Sequence, residues 1–222
     1  MRQFWLALRP PLANLAGVKL NYPASFRRLA NALFAAAFFL GSLLPLRATT
    51  VEPPSFSELV ADSQLVVRAT VTAISSEWAE SPQGRFIRTL VTISVEKHLK
   101  GTSDPTVVLR LVGGTVGQET MVVAGMPTFQ VGESGVLFIA GNGTNFCPIV
   151  RMTHGRYRLQ TESATRRRYV VRDDGLTVEQ VEDVGLSLTA GTMLRRSRDP
   201  ARALSLENFE AQIVEEASRH EK

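Results

Sequence analysis

The chain has 222 residues, 44% of them hydrophobic, and a formal charge of +4. That composition excludes an extreme polyelectrolyte and allows a buried core. The positive balance is local: six of the 25 basic residues and no acid fall in residues 1–48, leaving 19 basic against 21 acidic residues beyond them, so charge gives no argument for nucleic-acid binding.

Residues 1–48 have the three parts of a secretory signal. Arg27 and Arg28 close a positive stretch, and Leu29 to Leu44 form an apolar run around Phe34, Phe38 and Phe39. Pro45 then precedes Leu46-Arg47-Ala48. The expectation is a cleaved leader, a mature chain beginning near Thr49, and a periplasmic or extracellular location. An uncleaved anchor is the alternative, but a span needs roughly 20 apolar residues and this run is shorter. The long basic stretch also admits a true start near Val18. Cys147 is the one cysteine, so no internal disulfide is available and the core must hold the fold. Its apolar neighbours, Phe146 and Ile149, give it the setting of a small buried hydrophobe.

Thr49 to Pro54 is an extended lead-in. Ser55-Phe56-Ser57-Glu58 has the spacing of a capping box and opens a short helix. Two long strands follow. Leu65, Val67, Ala69, Val71 and Ala73 alternate with polar residues, as do Ile87, Val91, Ile93 and Val95, and Ser81-Pro82-Gln83-Gly84 supplies the turn. Thr106 to Val112 reads as a third strand, Gly113 to Phe129 as a long Gly-rich loop, and Gly135 to Ala140 as a fourth strand. Phe146 to Met152, Gly155 to Thr161 and Arg168 to Arg172 are further strand candidates, the last running into an Asp173-Asp174-Gly175 turn. Residues 176–204 lose the pattern and read as a linker. Residues 205–222 read as a helix capped by Ser205, with Leu206, Phe209, Ile213 and Ala217 on one stripe. The domain is therefore expected over residues 55–175, all-β and antiparallel, as a small barrel or sandwich with a short N-terminal helix and a C-terminal amphipathic helix.

Particular residues carry a resemblance. Asp62, Leu65-Val66-Val67-Arg68-Ala69, the strand ending Lys97-His98-Leu99-Lys100-Gly101, and Gly132-Glu133 before Val136-Leu137-Phe138-Ile139 resemble the netrin-like module of the tissue inhibitors of metalloproteinases. The Gly113-Gly114 element, Pro127-x-Phe129-x-x-Gly132-Glu133 and Leu204-Ser205-Leu206-Glu207-x-Phe209 are also similar to a group of uncharacterised exported bacterial proteins. The resemblance spans about residues 56–160 and the last helix, and it implies an OB-like barrel. Those inhibitors chelate zinc through an amino-terminal cysteine. Here the expected terminus is Thr49 and the cysteine lies late in the chain, so the resemblance implies fold and not chemistry.

The supply of catalytic residues is poor. His98, His154 and His220 have no metal-ligand spacing, and Gly132-Glu133-Ser134-Gly135 lacks the geometry of a nucleophile elbow. No enzyme activity, metal or cofactor is expected, and a hydrolase assembled only by the fold is the remote reading. Gly113-Gly114-Thr115-Val116-Gly117 reads first as a flexible loop and second as an anion cradle, without the Lys-Ser/Thr of a phosphate loop. The leading expectation is a non-enzymatic module that binds an envelope or extracellular protein, conceivably a protease, and no nucleic acid. The contact would fall on Gly113, Gly114, Val116, Met121, Val122 and Met126, where loop position and adaptable Met side chains favour recognition. An alternative reading makes the hairpin 151–172 a binder of polysaccharide or lipid phosphate through Arg156, Arg158, Arg166 and Arg168; the simpler account of those arginines is a solvated strand face.

Overall fold

A computed structural model of the chain describes residues 53–186 and 199–220. The leader, expected over 1–48, lies outside them. Ser55 starts helix α1 (Phe56–Ala61) with the capping box its sequence predicts. The Ser55 N–H donates to the Glu58 carboxylate at 2.8 Å, and the Glu58 N–H donates to the Ser55 hydroxyl at 3.2 Å. Leu59 and Val60 are thereby turned into a core.

Strands β1 (Leu65–Ser81) and β2 (Gly84–Lys100) form a long hairpin closed by Pro82-Gln83, with Gly84 at φ +124. After them come β3 (Thr106–Val112), the short β4 (Gly114–Val116) and β5 (Glu119–Met121), β6 (Ser134–Ile139), β7 (Arg156–Thr161) and β8 (Arg168–Val171). Helix α2 (Leu206–His220) ends the described chain. Six strands make one antiparallel sheet in the order β3-β2-β1-β6-β7-β8, and β4 and β5 pair separately. The all-β antiparallel architecture with two flanking helices is as expected. The sheet is open, ending at β3 and β8, so the term barrel applies only loosely.

Both faces of the sheet are apolar. Val66 and Val67, adjacent in β1, are each fully buried, but in different cores. The first core gathers Val66, Phe138, Tyr157 and Val170 of the sheet under Leu59 and Val60 of α1 and Leu206, Phe209 and Ile213 of α2. Phe209 lies 5.0 Å from Tyr157 and 6.5 Å from Phe138, ring centre to ring centre. The second core holds Val67, Ala69, Val71, Val91, Ile93, Leu109, Leu111 and Cys147 on the opposite face. Burial pushes the Cys147 thiol above its ordinary range.

Three expectations are corrected. The period-2 run of β1 stops at Val71, because a register shift between Val71 and Ala73 turns Ala73 outward. Phe146 to Met152 is not a strand: one bridge joins Ile149 to Ile139, and a 3-10 turn (Met152–Gly155) follows. Its apolar residues bury Cys147 and Ile149 without a ladder, which periodicity cannot distinguish from a strand. The segment read as a linker packs inward over residues 176–186. Leu176, Val178, Val181 and Val184 are buried, with Val178, Val181 and Val184 in the first core. Residues 187–198 lie outside the described chain, and no helix among the described residues is long and apolar enough to cross a membrane.

Candidate binding groove

The second core is covered only in part. Gly113 (φ +105) and Gly114 (φ +130) lead the chain from β3 across the β1–β2 hairpin. A Cβ on Gly114 would collide with the hydroxyls of Ser76 and Thr89, a cross-strand pair. The Thr89 hydroxyl donates to the Gly113 carbonyl at 2.7 Å and lies 3.1 Å from the Ser76 hydroxyl. Backbone thus crosses where only glycine fits. Beyond it Gly114 pairs with Met121 and Val116 with Glu119. The Gly113 to Gly117 run therefore begins an ordered two-stranded hairpin and is not an irregular loop.

The return of the chain to Phe129 leaves a groove of about 400 Å³, with buried Val91 and Leu111 at its base and Ile74 at its rim. Gly113, Gly114, Met121, Val122 and Met126, expected as contact residues, all line it; Val116 does not. The side chains differ in burden. Val122 is 86% exposed, Met121 is half-buried, and Met126 packs with Phe129 and Met152 against the second core. Met126 therefore belongs partly to the core, and the sequence offers no signal that separates it from Met121.

A polar groove of about 730 Å³ adjoins the first at Thr128 and contains Glu96, Glu133, Arg156, Arg158, Arg168 and Asp173. Its arginines do not form the solvated row expected of them. Arg156 is buried, bonded at 2.5 Å to both Glu133 and Asp173, and its guanidinium lies 4.7 Å from the Phe129 ring centre. Burial raises the Asp173 carboxyl despite that arginine. Arg168 pairs with Glu207 at 3.4 Å, and Arg158 donates to the carbonyls of Arg172 and Asp173. Arg166 is exposed in a turn at φ +59. A buried arginine held by two carboxylates has spent its charge on the fold.

The histidines do not converge. His98 meets Ser103 at 3.0 Å, and His154 is buried, its Nδ1 without a hydrogen-bond partner. Burial, with Arg172 second, lowers the proton affinity of His154. His220 lies 3.1 Å from Ser57 and 3.3 Å from Glu216, which superficially completes a Ser-His-carboxylate set. Yet Ser57 and Glu216 both meet the same ring nitrogen, Nε2, and Ser57 donates its proton directly to Glu216 at 2.6 Å. A hydrolytic triad needs the carboxylate on the other nitrogen. That hydrogen bond instead holds the Glu216 carboxyl below its usual range and ties α1 to α2. No three His, Cys, Asp or Glu side chains among the described residues are grouped as a metal would require.

Sequence reasoning places Glu210 only as an acid near the N-terminal dipole of the last helix. It is the most buried acid among the described residues, and its carboxylate meets Arg68 at 2.8 Å and Lys97 at 2.6 Å. Two signals were available. Glu210 lies one turn after Leu206, inside the apolar stripe of α2, and Arg68 and Lys97 are cross-strand partners of like charge.

The fold and groove define a two-faced antiparallel β module with one face left partly open. No family model matches the chain, and no curated protein matches it.

Proposed function

We propose that the chain is an exported, non-enzymatic binding module that takes an apolar side chain of an envelope or extracellular protein into the groove beside the β4–β5 hairpin. The observation that carries this reading is Val122, 86% exposed at the edge of an apolar groove whose base is the core itself. A preformed apolar recess opening to the surface is the default candidate for a binding site. Met121 and Met126 add side chains that adapt to a partner's shape. The signal-like leader supports export. The pairing of Arg156 and Arg168 with carboxylates speaks against the polyanion alternative.

A photo-activatable cross-linker at position 122 of the full chain tests the reading. It should trap the same extracellular protein in independent preparations, and Met121→Ser combined with Val122→Ser should cut capture at least roughly tenfold with unchanged thermal stability. Equal capture by that double variant rejects the groove as the contact.

A further inference from the structure

The β1–β2 hairpin is longer than the sheet around it. On its outer side β1 pairs with β6 only from Leu65 to Thr70. The Val71 N–H donates to the Glu133 carbonyl at 2.9 Å, and the Gly132 N–H to the Val71 carbonyl at 2.8 Å. After Val71 no further strand lies against that edge among the described residues. The strand itself continues to Ser81.

The direction of the unused backbone groups follows from the turn. Ser81 and Gly84 face each other across the two-residue loop, so they are a hydrogen-bonded pair, and alternation along an antiparallel ladder fixes the rest. The N–H and C=O groups of Ala73, Ser75, Glu77 and Ala79 point to β2. Those of Ile74, Ser76, Trp78 and Glu80 point away from it. The Gly113 N–H donating to the Ile87 carbonyl at 2.8 Å confirms the phase, since Ile87, opposite Trp78, also faces outward. Four residues of β1 thus present an unpaired ladder.

Proteins normally guard such an edge, because it is a template for another strand. Here it runs beside the groove: Ile74, the first outward residue, is 38% exposed and forms the rim. At the far end Glu80 is exposed and makes no salt bridge with any described residue, its cross-strand neighbour Arg85 being stacked on Trp78 at 3.9 Å from the ring centre. Glu77, by contrast, is paired with Arg88 at 2.6 Å. Main-chain pairing with alternate side chains dropping into pockets is a known mode of peptide capture.

We infer that the partner of the proposed module docks as an extended segment added to the free edge of β1 from Ile74 to Glu80, with an apolar residue entering the groove beside Ile74 and a basic residue facing Glu80. This rests on the groove being the contact site. Hydrogen bonds supply the affinity along the edge, and the groove and Glu80 fix register and direction. The spacing of the two recognised side chains equals that between Ile74 and Glu80.

The test selects binders of the full chain from a displayed library of extended peptides of about seven residues, the length of the free edge. The selected sequences should share an apolar and a basic residue at that spacing. The best binder is then N-methylated at alternate positions in two complementary sets. One set should lose roughly 100-fold in affinity through lost hydrogen bonds and the other should bind nearly unchanged. Site-resolved amide exchange should show Ile74, Ser76, Trp78 and Glu80 slowing when peptide is bound. Peptides that bind equally well in both methylated forms and are lost with Met121→Ser/Val122→Ser would overturn strand addition while leaving the groove intact. Binders indifferent to that double variant would instead reject the groove reading. No enrichment, or concentration-dependent dimers protected at those four amides, would overturn the inference in favour of no occupant or a second copy.

Discussion

The two faces of the one sheet have opposite fates. The face bearing Val66, Phe138 and Tyr157 is closed by α1, α2 and residues 176–186, and is pinned at its edge by Arg68, Lys97 and Glu210. The face bearing Val67, Val91 and Leu111 is covered by loops and a two-stranded hairpin, which leave a groove. Strand composition is similar on both sides. What separates stability from recognition in this molecule is the covering layer, since a helix presents a continuous apolar stripe and a loop does not.

Four expected outcomes test that division. Phe209→Ala, which removes a ring from the closed face, should cost about 4 kcal/mol, read by urea denaturation. Groove binding at a permissive temperature should survive it; loss of both would mean that the faces are coupled. Glu210→Ala leaves two cations without their buried acid and should cost about 3 kcal/mol. Glu210→Gln should recover only part of this. Gly114→Ala, on the open face, forces a side chain against Ser76 and Thr89 at positive φ and should cost about 2 kcal/mol while displacing the β4–β5 hairpin and weakening binding.

The smallest effect concerns pH. His154 is buried with a folded pKa below its ordinary 6.5, against Arg172, Asp174 and Arg151. The unfolded chain therefore takes up the proton first as pH falls through 6.5, and stability declines until the folded imidazole also protonates. Denaturation midpoints should be lower at pH 5.5 than at pH 7.5. Asp173, raised by burial, acts in the opposite sense as its own folded pKa is crossed, so the diagnostic is the difference from His154→Gln, in which the decline should shrink. An unchanged profile in that variant would assign the pH dependence to another group.

Much of this division was legible in the residues. The Ser55-x-x-Glu58 cap, the two alternating strands and the Leu206, Phe209, Ile213, Ala217 stripe each state a period and are found where they are read. Segments without a period were misread. Val181 and Val184 lie in a 3-10 turn, and Cys147 and Ile149 in a nearly unpaired run, so neither burial has a repeating signature. All but Val116 of the expected contact residues line the groove, because Gly113-Gly114 and the following Val and Met residues exceed what a plain loop needs; the strand residues Ile74, Val91 and Leu111 carry no such signal. Arg156 was misjudged because alternation places a side chain on a face without saying whether acids wait there; Glu133 and Asp173 arrive from distant turns.

Helix α2 has a further consequence for how the molecule is made. Its fifteen residues are the last described, yet they close a core begun at Leu59, and Ser57 reaches Glu216 across 159 positions of sequence. A ribosome delivers that lid only after every strand of the sheet has been made. Until then the Val66, Phe138 and Tyr157 face stays uncovered, and contacts of such separation form slowly. A nonsense codon anywhere before Leu206 should therefore yield a sticky, chaperone-bound product rather than a shortened working module.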